Sequence, residues 1–359
     1  MTITNASVSK RLMLFFLIFA GLYIAKPFLM PLCIAGILAT LFLPFSNWME
    51  KHKVPRIIAV LICYLTLFSI IVGLVIFFNL KVAELLSDFD LIKAKLIAAI
   101  IKLQNYIFSN FGISLENQRQ VLKIEQLPFG NIMQTVLGSV AYIVSNVILI
   151  LIYVLFLLYY RTHIKNFLLK FSTKDQQPQV LQLITKSTNI SQQYLLGLSK
   201  MIVCLWIMYG IGFSIVGVEN ALVFAIICGV LEIVPYVGNF IGMSLTVVVA
   251  ALHSAKLSLL GGIVITYASV QLIQGWLLEP LMLGPQVKIN PLFTIIALVL
   301  GELLWGISGV IIAIPLTAIF KIFCDNLESL KPYGFLIGEI ETVKKERLFI
   351  KNIKQKFKK

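Results

Sequence analysis

Long apolar runs, separated by short polar stretches, follow one another along most of the chain. Several of the runs reach the roughly 20 residues that an α-helix needs to cross the hydrocarbon core of a bilayer. The runs lie near residues 11–29, 31–49, 57–79, 136–160, 201–217, 221–252, 257–278 and 292–320. This pattern predicts an all-α fold, a polytopic transmembrane helix bundle with about eight membrane segments.

Two of these segments, 221–252 and 292–320, carry residues that interrupt a helix. The first is too long for one straight span, because about 32 residues at 1.5 Å each exceed the thickness of the bilayer core. The interrupting residues are Pro235, Gly238 and Gly242 in the first segment and Gly301, Gly306 and Gly309 in the second. Re-entrant hairpins and continuous spans both fit this pattern, and both leave the C-terminus on the same side of the membrane.

The two interrupted segments also resemble each other. FAIICGVLE (224–232) and FTIIALVLGE (293–302) both begin Phe-x-Ile-Ile and run through Val-Leu to a glutamate. Paired glycine- and proline-broken segments at corresponding places point to the midplane binding site of a transporter. We therefore interpret the pair as a weak internal repeat and expect a binding site between its two halves.

A stretch of mixed charge, 80–135, separates the third and fourth membrane segments. From Val82 to Ile107 its apolar residues recur at steps of three and four, which predicts an amphipathic helix with a heptad-like stripe. Three arrangements fit the stripe: contact between the protomers of a homo-oligomer, packing on the same chain, and binding to the lipid surface.

Composition and charge support the membrane interpretation and predict an orientation. Hydrophobic residues make up 59% of the chain and charged residues 13%, against about 25% charged in soluble domains. The net charge of +14 comes from basic residues in short loops and tails, so it indicates cytoplasmic segments and not nucleic-acid binding. We expect both termini, the loop at 50–56 and the loop at 161–200 to be cytoplasmic.

These assignments divide the chain into four parts. They are N-terminal transmembrane segments (1–79), an extracytoplasmic amphipathic segment (80–135), a transmembrane core (136–320) and a basic cytoplasmic tail (321–359).

Glu232 and Glu302, at matching places in the two broken segments, are the first candidates for a binding site. An ionisable group inside a membrane is costly, so it normally faces a cavity or a partner. A neutral carboxyl would suit a proton carrier, since removal from water favours the uncharged form. A carboxylate would accept hydrogen bonds from a hydroxylated solute. The alternative is a pair of carboxyls near the interface that cap broken helices.

Gln271 and Gln274 lie three residues apart, hence on one helix face, and Glu279 falls within reach of that face at the helix end. Glutamine side chains offer both donors and acceptors to a polar ligand. The alternative role is to hold neighbouring helices together, as polar residues commonly do in membrane bundles.

The stretch LLEPLMLGPQVKINPL, residues 277–292, is unusually polar and broken for its surroundings. Its helix-breaking residues are Pro280, Gly284, Pro285 and Pro291. The freed backbone carbonyls, together with Asn290, could line a polar vestibule. A tight surface loop between two spans fits the same residues.

Catalysis has weak support. GISG, residues 306–309, is similar to the GxSG of intramembrane serine proteases, with Ser308 as nucleophile, but the only candidate base near the membrane is His253. Small residues also occur in this pattern wherever helices approach closely. The cysteines form no CxxC pair and no zinc spacing is present, so we expect neither an enzyme nor a metal or other cofactor. An oligomeric membrane scaffold without transport is a further alternative.

Four motifs, in this order and spacing, resemble the AI-2E family of bacterial membrane transporters. They are YLLG (194–197), VLEIVPYVGNFIGMSL (230–245), QLIQGWLLEPLMLGPQVKINPL (271–292) and LWGISGVIIAIPL (304–316). The resemblance implies a homo-oligomeric secondary transporter of the inner membrane that exports a small polar solute similar to autoinducer-2. Coupling to protons or sodium is implied as well, since some members look like sodium/proton antiporters. The partners are then the lipid bilayer, the solute and the coupling ion.

The predicted orientation can be tested by single-cysteine labelling. In a variant without the native cysteines, Ser114→Cys in the extracytoplasmic segment should react with an impermeant reagent in intact cells, because long loops on that side face the medium. A matched cysteine at Lys53, in the basic loop, should react only after the membrane is opened. Reaction of the Ser114→Cys variant only in inside-out vesicles would contradict the orientation.

Overall fold

A computed structural model describes residues 5–87, 101, 104–105, 108–109, 129–235, 237–253, 257–283 and 288–339. These residues are almost entirely helical, and the described part of the chain contains no named β-strand. The helices of the first half are α1 (Asn5–Ile24), α2 (Lys26–Lys51), α3 (Arg56–Ser87), α4 (Phe129–Lys170) and α5 (Gln177–Val216). Those of the second half are α6 (Ala221–Leu231), α7 (Val237–His253), α8 (Leu257–Ile273), α9 (Glu279–Met282), α10 (Pro291–Trp305), α11 (Ile307–Asn326) and α12 (Lys331–Ile337).

Six helical stretches among the described residues are long and apolar enough to cross a membrane. They are Lys26–Lys51, Arg56–Phe77, Asn146–Lys170, Gln177–Val216, Ser258–Met282 and Ile307–Asn326. The prediction of a polytopic transmembrane helix bundle is therefore confirmed. Most of the predicted amphipathic segment, 80–135, lies outside the described residues.

The N-terminal bundle consists of α2, α3 and α4 around a core of their own. Ala35, Cys63 and Leu158, one from each helix, are fully buried in it. At one end of the bundle, Arg161 donates to Glu50 Oε1 at 2.7 Å and to the buried Ser46 Oγ at 2.8 Å. These bonds tie the end of α4 to the end of α2, so the three helices are held together where the basic loop joins α2 to α3.

The second half is built around α5, which contacts helices from both halves. Its Leu205, Tyr209 and Phe213 are fully buried in an apolar cluster that also contains residues of α6, α7 and α8. Residues 161–200, predicted as a loop, are helical on both sides of a short turn: α4 continues to Lys170 and α5 begins at Gln177. The sequence pattern did not predict these helical ends, because the polar ends of long helices have the composition of a loop.

Both broken segments fold into helical hairpins. In the first, α6 and α7 run antiparallel, with Gly238 against the backbone of Leu231 and Gly242 against Cys228. In the second, α10 and α11 meet through the backbones of Gly301 and Gly309. With 11 residues, α6 is only about 16 Å long, well short of the roughly 30 Å core, so it does not cross the membrane alone.

The hairpin turns make contacts outside their own segments. Val234, in the first turn, packs against a small buried cluster of the second hairpin that contains Leu298 and Val310. The second turn is at Gly306, whose φ of 67° suits glycine, and the preceding Trp305 donates through Nε1 to Leu22 O at 3.0 Å. The carbonyl of Leu22 lies beside the break between α1 and α2, so the second turn is anchored to the N-terminal helices.

The glycine contact of the second hairpin leads to a stability prediction. Gly309→Ala places a methyl group against the Gly301 backbone, where there is no space, and should lower the free energy of unfolding by about 1–3 kcal/mol. Gly261→Ala is the matched control, because a methyl group there meets no neighbour and alanine favours a helix. Thermal unfolding in detergent measures both. Equal midpoints for the two variants would contradict the close packing of the hairpin.

Candidate functional site

The break between α6 and α7 places a carboxyl group inside the bundle. Glu232 follows the last residue of α6, and only 5% of it is exposed. Its Oε1 accepts hydrogen bonds from Gln274 Nε2 at 2.6 Å and from Asn239 Nδ2 at 3.2 Å. Its Oε2 is buried without a hydrogen-bond partner among the described residues. One carboxylate oxygen is thus satisfied by the protein and the other is free to accept a ligand.

The network continues from Glu232 onto α8 and α5. Asn239 also donates to Gln271 Oε1 at 3.0 Å, and Gln271 Nε2 donates to Tyr209 Oη at 3.0 Å and to Gln274 Oε1 at 3.3 Å. We call these five residues the amide–carboxyl cluster. It joins the first hairpin to two long membrane helices through hydrogen bonds between side chains.

A local change in helix type brings Gln274 into this cluster. After Ile273 the α8 helix continues as a π-helix over Gln274–Leu278, in which the backbone N–H of Glu279 donates to Gln274 O. Residues five apart then lie one turn above each other, so Gln274 Nε2 also contacts Glu279 Oε1, at 3.4 Å. Glu279 is exposed and Gln274 is fully buried, so the π-helical turn links the inside of the bundle to its surface.

The buried carboxyl of Glu232 is the main electrostatic feature of the cluster. In the described part of the chain, no lysine or arginine forms a salt bridge with Glu232. Burial disfavours the ionised form of a carboxyl, while hydrogen bonds from amides favour it. Such a group can alternate between a protonated state and a state that holds a cation or a hydrogen-bond donor of a solute.

The structure separates two candidate residues from this cluster. Glu302 lies in the last turn of α10 with its side chain exposed, and it is not part of the network in this structure. Asn290 caps α10: its Oδ1 accepts from Phe293 N at 2.9 Å, and its Nδ2 donates to Leu336 O at 2.8 Å. Asn290 therefore caps the start of α10, and its described hydrogen bonds do not join it to the amide–carboxyl cluster.

The helix-breaking candidates act in different ways. Pro235 lies in the turn of the first hairpin, Pro280 in the first turn of α9, and Pro291 is the first residue of α10. Gly284 and Pro285 lie outside the described residues.

Sequence reasoning missed Tyr209 and Asn239. Asn239 could have been found as the one amide in an apolar stretch, seven residues beyond Glu232. Tyr209 had no such signal, because a tyrosine in a membrane segment usually belongs to the core or the interface.

Metal chemistry has no support in the described part of the chain. No group of three or more His, Cys, Asp or Glu side chains there could hold a metal ion. The five cysteines are free, and Cys228 Sγ lies 3.7 Å from Thr246 Oγ1 between the two arms of the first hairpin. They are packing residues.

Comparison with known proteins shows that the sequence of this chain is similar to those of transport proteins. The sequence model described as "AI-2E family transporter" matches residues 12–329. "Putative transport protein YueF" of Bacillus subtilis is 29% identical over 83% of this chain and 83% of its own. "Putative transport protein YhhT" of Escherichia coli K12 is 23% identical over 93% and 95%, and "AI-2 transport protein TqsA" of the same strain is 20% identical over 94% and 97%.

The amide–carboxyl cluster leads to a prediction about stability. Gln274→Leu removes the shortest donor to Glu232 and should lower the free energy of unfolding by about 1–3 kcal/mol, because it leaves a buried acceptor unpaired. Adding Glu232→Leu should recover part of the loss, since both polar partners are then absent. Gln179→Leu is the control, because its amide donates to Asn326 O at an exposed site. Strictly additive effects at positions 232 and 274 would contradict the bond.

Proposed function

The chain belongs to the AI-2E transporter family, and from this membership we propose that it is a secondary carrier that moves a small polar solute across the bacterial inner membrane. The observation that supports this most directly is the amide–carboxyl cluster. A buried group of polar side chains at a broken helix is the usual form of a carrier's binding site.

The composition of the cluster supports an uncharged, hydroxyl-bearing solute. It offers amide, phenol and carboxyl groups, and no basic side chain for an anion. Amides can both donate to and accept from hydroxyl groups. We propose an autoinducer-2-like molecule, in keeping with the name of the relative TqsA, and export as the direction of transport.

Coupling to an ion rests on Glu232. Its free Oε2 and the lack of a described salt-bridge partner leave a place for a proton or a sodium ion. The same features support a second candidate function, sodium/proton antiport, in which the ions are the only cargo. Uptake of labelled solute, measured beside acidification of the vesicle lumen, distinguishes the two.

Access to the site follows from the elements that build it. Glu232 and Asn239 belong to the first hairpin, whereas Gln271 and Gln274 belong to α8 and its π-helical extension. A shift of the hairpin relative to α8 would separate donors from acceptors and admit the solute, and the reverse shift would enclose it.

We further propose that the chain acts as a homo-oligomer with both termini in the cytoplasm.

Transport is favoured over the other two candidates. A scaffold has no use for a carboxyl that is buried with one free oxygen, because such a group costs stability. A protease requires a base that contacts Ser308, and the structure gives Ser308 no such contact among the described side chains.

Flux through proteoliposomes tests the proposal. Glu232→Gln keeps the size and hydrogen bonding of the side chain but removes its charge, and should reduce flux about tenfold or more, equivalent to ~1.4 kcal/mol in the rate-determining step. The remaining flux should no longer depend on pH, because the titrating group is gone.

Two substitutions serve as controls. Ser308→Ala should transport at the parental rate, whereas the protease hypothesis requires complete loss of activity. Glu302→Gln removes an exposed carboxyl of the second hairpin, and a smaller effect than that of Glu232→Gln is expected. Parental flux and an unchanged pH profile in the Glu232→Gln variant, at normal expression, would show that the carboxyl is structural.

A further inference from the structure

The amide hydrogens of the amide–carboxyl cluster are all used within the protein. The cluster has three amide side chains, Asn239, Gln271 and Gln274, and each carries two N–H hydrogens. Every one of these hydrogens has an acceptor among the described residues, at donor–acceptor distances of 2.6–3.4 Å. The amides therefore hold the cluster together in this arrangement and keep no hydrogen for a solute.

Two other polar atoms in this part of the bundle are buried and unused. Oε2 of Glu232 and the hydroxyl oxygen of Tyr267 have no hydrogen-bond partner among the described residues. The exposed fractions of the two residues are only 5% and 7%. A buried polar group without a partner lowers stability, so a pair of them in one region indicates a ligand that is bound there during function.

Tyr267 lies next to the cluster on α8. It precedes Gln271 by four residues, so the two side chains lie on one face of the helix. Its ring stacks on that of Tyr209, with ring centroids 5.5 Å apart and the planes at 26°. Both tyrosines share a buried cluster with Cys228, whose carbonyl accepts from the backbone N–H of Glu232. Tyr267 therefore extends the cluster by one turn of α8, beside the last turn of α6.

The two stacked phenols supply the donor that the amides lack. Tyr209 Oη accepts from Gln271 Nε2 at 3.0 Å, and its own hydrogen has no acceptor among the described residues. A hydrogen bond between the two hydroxyl groups, in either direction, would use only one of their two hydrogens. One phenolic O–H is thus always left to donate. Among these buried atoms, the spare capacity is a phenolic donor and a carboxylate acceptor.

These free groups define the chemistry of the ligand that fits them. A hydroxyl group of the ligand can donate to Oε2 of the ionised Glu232, and another oxygen of the ligand can accept from the phenol. A carbonyl oxygen suits the second place, because it accepts without adding a hydrogen that would need an acceptor in turn. The matching class is an uncharged small molecule that carries both a hydroxyl group and a carbonyl oxygen.

We infer that Tyr267 is a solute-binding residue whose hydroxyl group, together with that of Tyr209, donates to an acceptor oxygen of the solute while Glu232 Oε2 accepts from a solute hydroxyl group. This inference rests on the proposed function, because it assigns a further residue to the same site. A ligand that pairs the buried hydroxyl and carboxylate recovers on binding the stability that they cost the empty protein.

Unfolding without any solute separates a binding role of the Tyr267 hydroxyl from a structural one. Tyr267→Phe keeps the ring and removes an oxygen that no described residue uses, so the unfolding midpoint in detergent should stay equal or rise. Tyr209→Phe is the matched comparison, because it takes an acceptor from Gln271 and should lower the midpoint. An equal fall in both variants would overturn the inference, since the Tyr267 hydroxyl would then be used within the protein.

Flux through proteoliposomes tests the binding role itself. The probes are labelled erythrulose and butane-1,2,4-triol, which share their carbon chain and hydroxyl groups, whereas only erythrulose has a carbonyl oxygen. Tyr267→Phe should raise the KM for erythrulose roughly five- to tenfold and change that for the triol little. The pH dependence should remain, because Glu232 is intact. Ser269→Ala, which removes an exposed hydroxyl group from α8, should keep the parental KM.

The outcomes distinguish this inference from the proposed function. A parental KM for erythrulose in Tyr267→Phe, with flux lost in Glu232→Gln, would remove Tyr267 from the site and leave the proposed function standing. An equal rise of KM for both probes would also overturn the inference, because the hydroxyl group would then not recognise the carbonyl oxygen. A parent protein that moves neither probe would contradict the proposed class of solute, and the inference with it.

Discussion

The hydrogen bond from Gln274 to Glu232 is the contact on which the amide–carboxyl cluster depends. A carboxyl group inside a membrane bundle is stable only when donors, a proton or a cation compensate for the water that it has lost. Gln274 is buried beside Glu232 and donates the shorter of the two hydrogen bonds described for this carboxyl, at 2.6 Å. That contact requires the π-helical turn after Ile273, and it requires α6 to end just before Glu232. The broken backbone and the buried polar group are therefore one structural feature.

Glycine makes the hairpins possible. Two antiparallel helices of a hairpin can approach only as closely as the side chains between them allow, and in apolar surroundings dispersion contacts provide much of the attraction. Gly238 and Gly309 let backbone meet backbone, so the short helices of each hairpin are held by packing as well as by the chain. Val234 then connects the two hairpins through a shared apolar cluster. The apolar residues position the hairpins, and the few polar ones join the first hairpin to α8 and α5.

The fold was largely predictable because a membrane imposes simple requirements. Length and hydropathy identified the long helices, and Pro235 and Gly306 marked the breaks at about the right places. Glu232, Gln271, Gln274 and Glu279, which the structure brings together, were all identified as candidates, since polar residues are conspicuous in an apolar chain. Asn290 was identified for the same reason but caps a helix instead. A polar residue in the sequence does not reveal whether its partner is a ligand or the backbone.

The sequence by itself determined the class of fold, the broken segments and the set of polar residues in the membrane, because the cost of burying polar groups is local and depends on residue type. The tertiary structure alone decided that the broken segments are hairpins, that Tyr209 and Asn239 join Glu232, and that Glu302 stays apart. These outcomes depend on contacts between residues distant along the chain. Helical periodicity places a residue on a face of its own helix, but only packing determines which other helix that face meets.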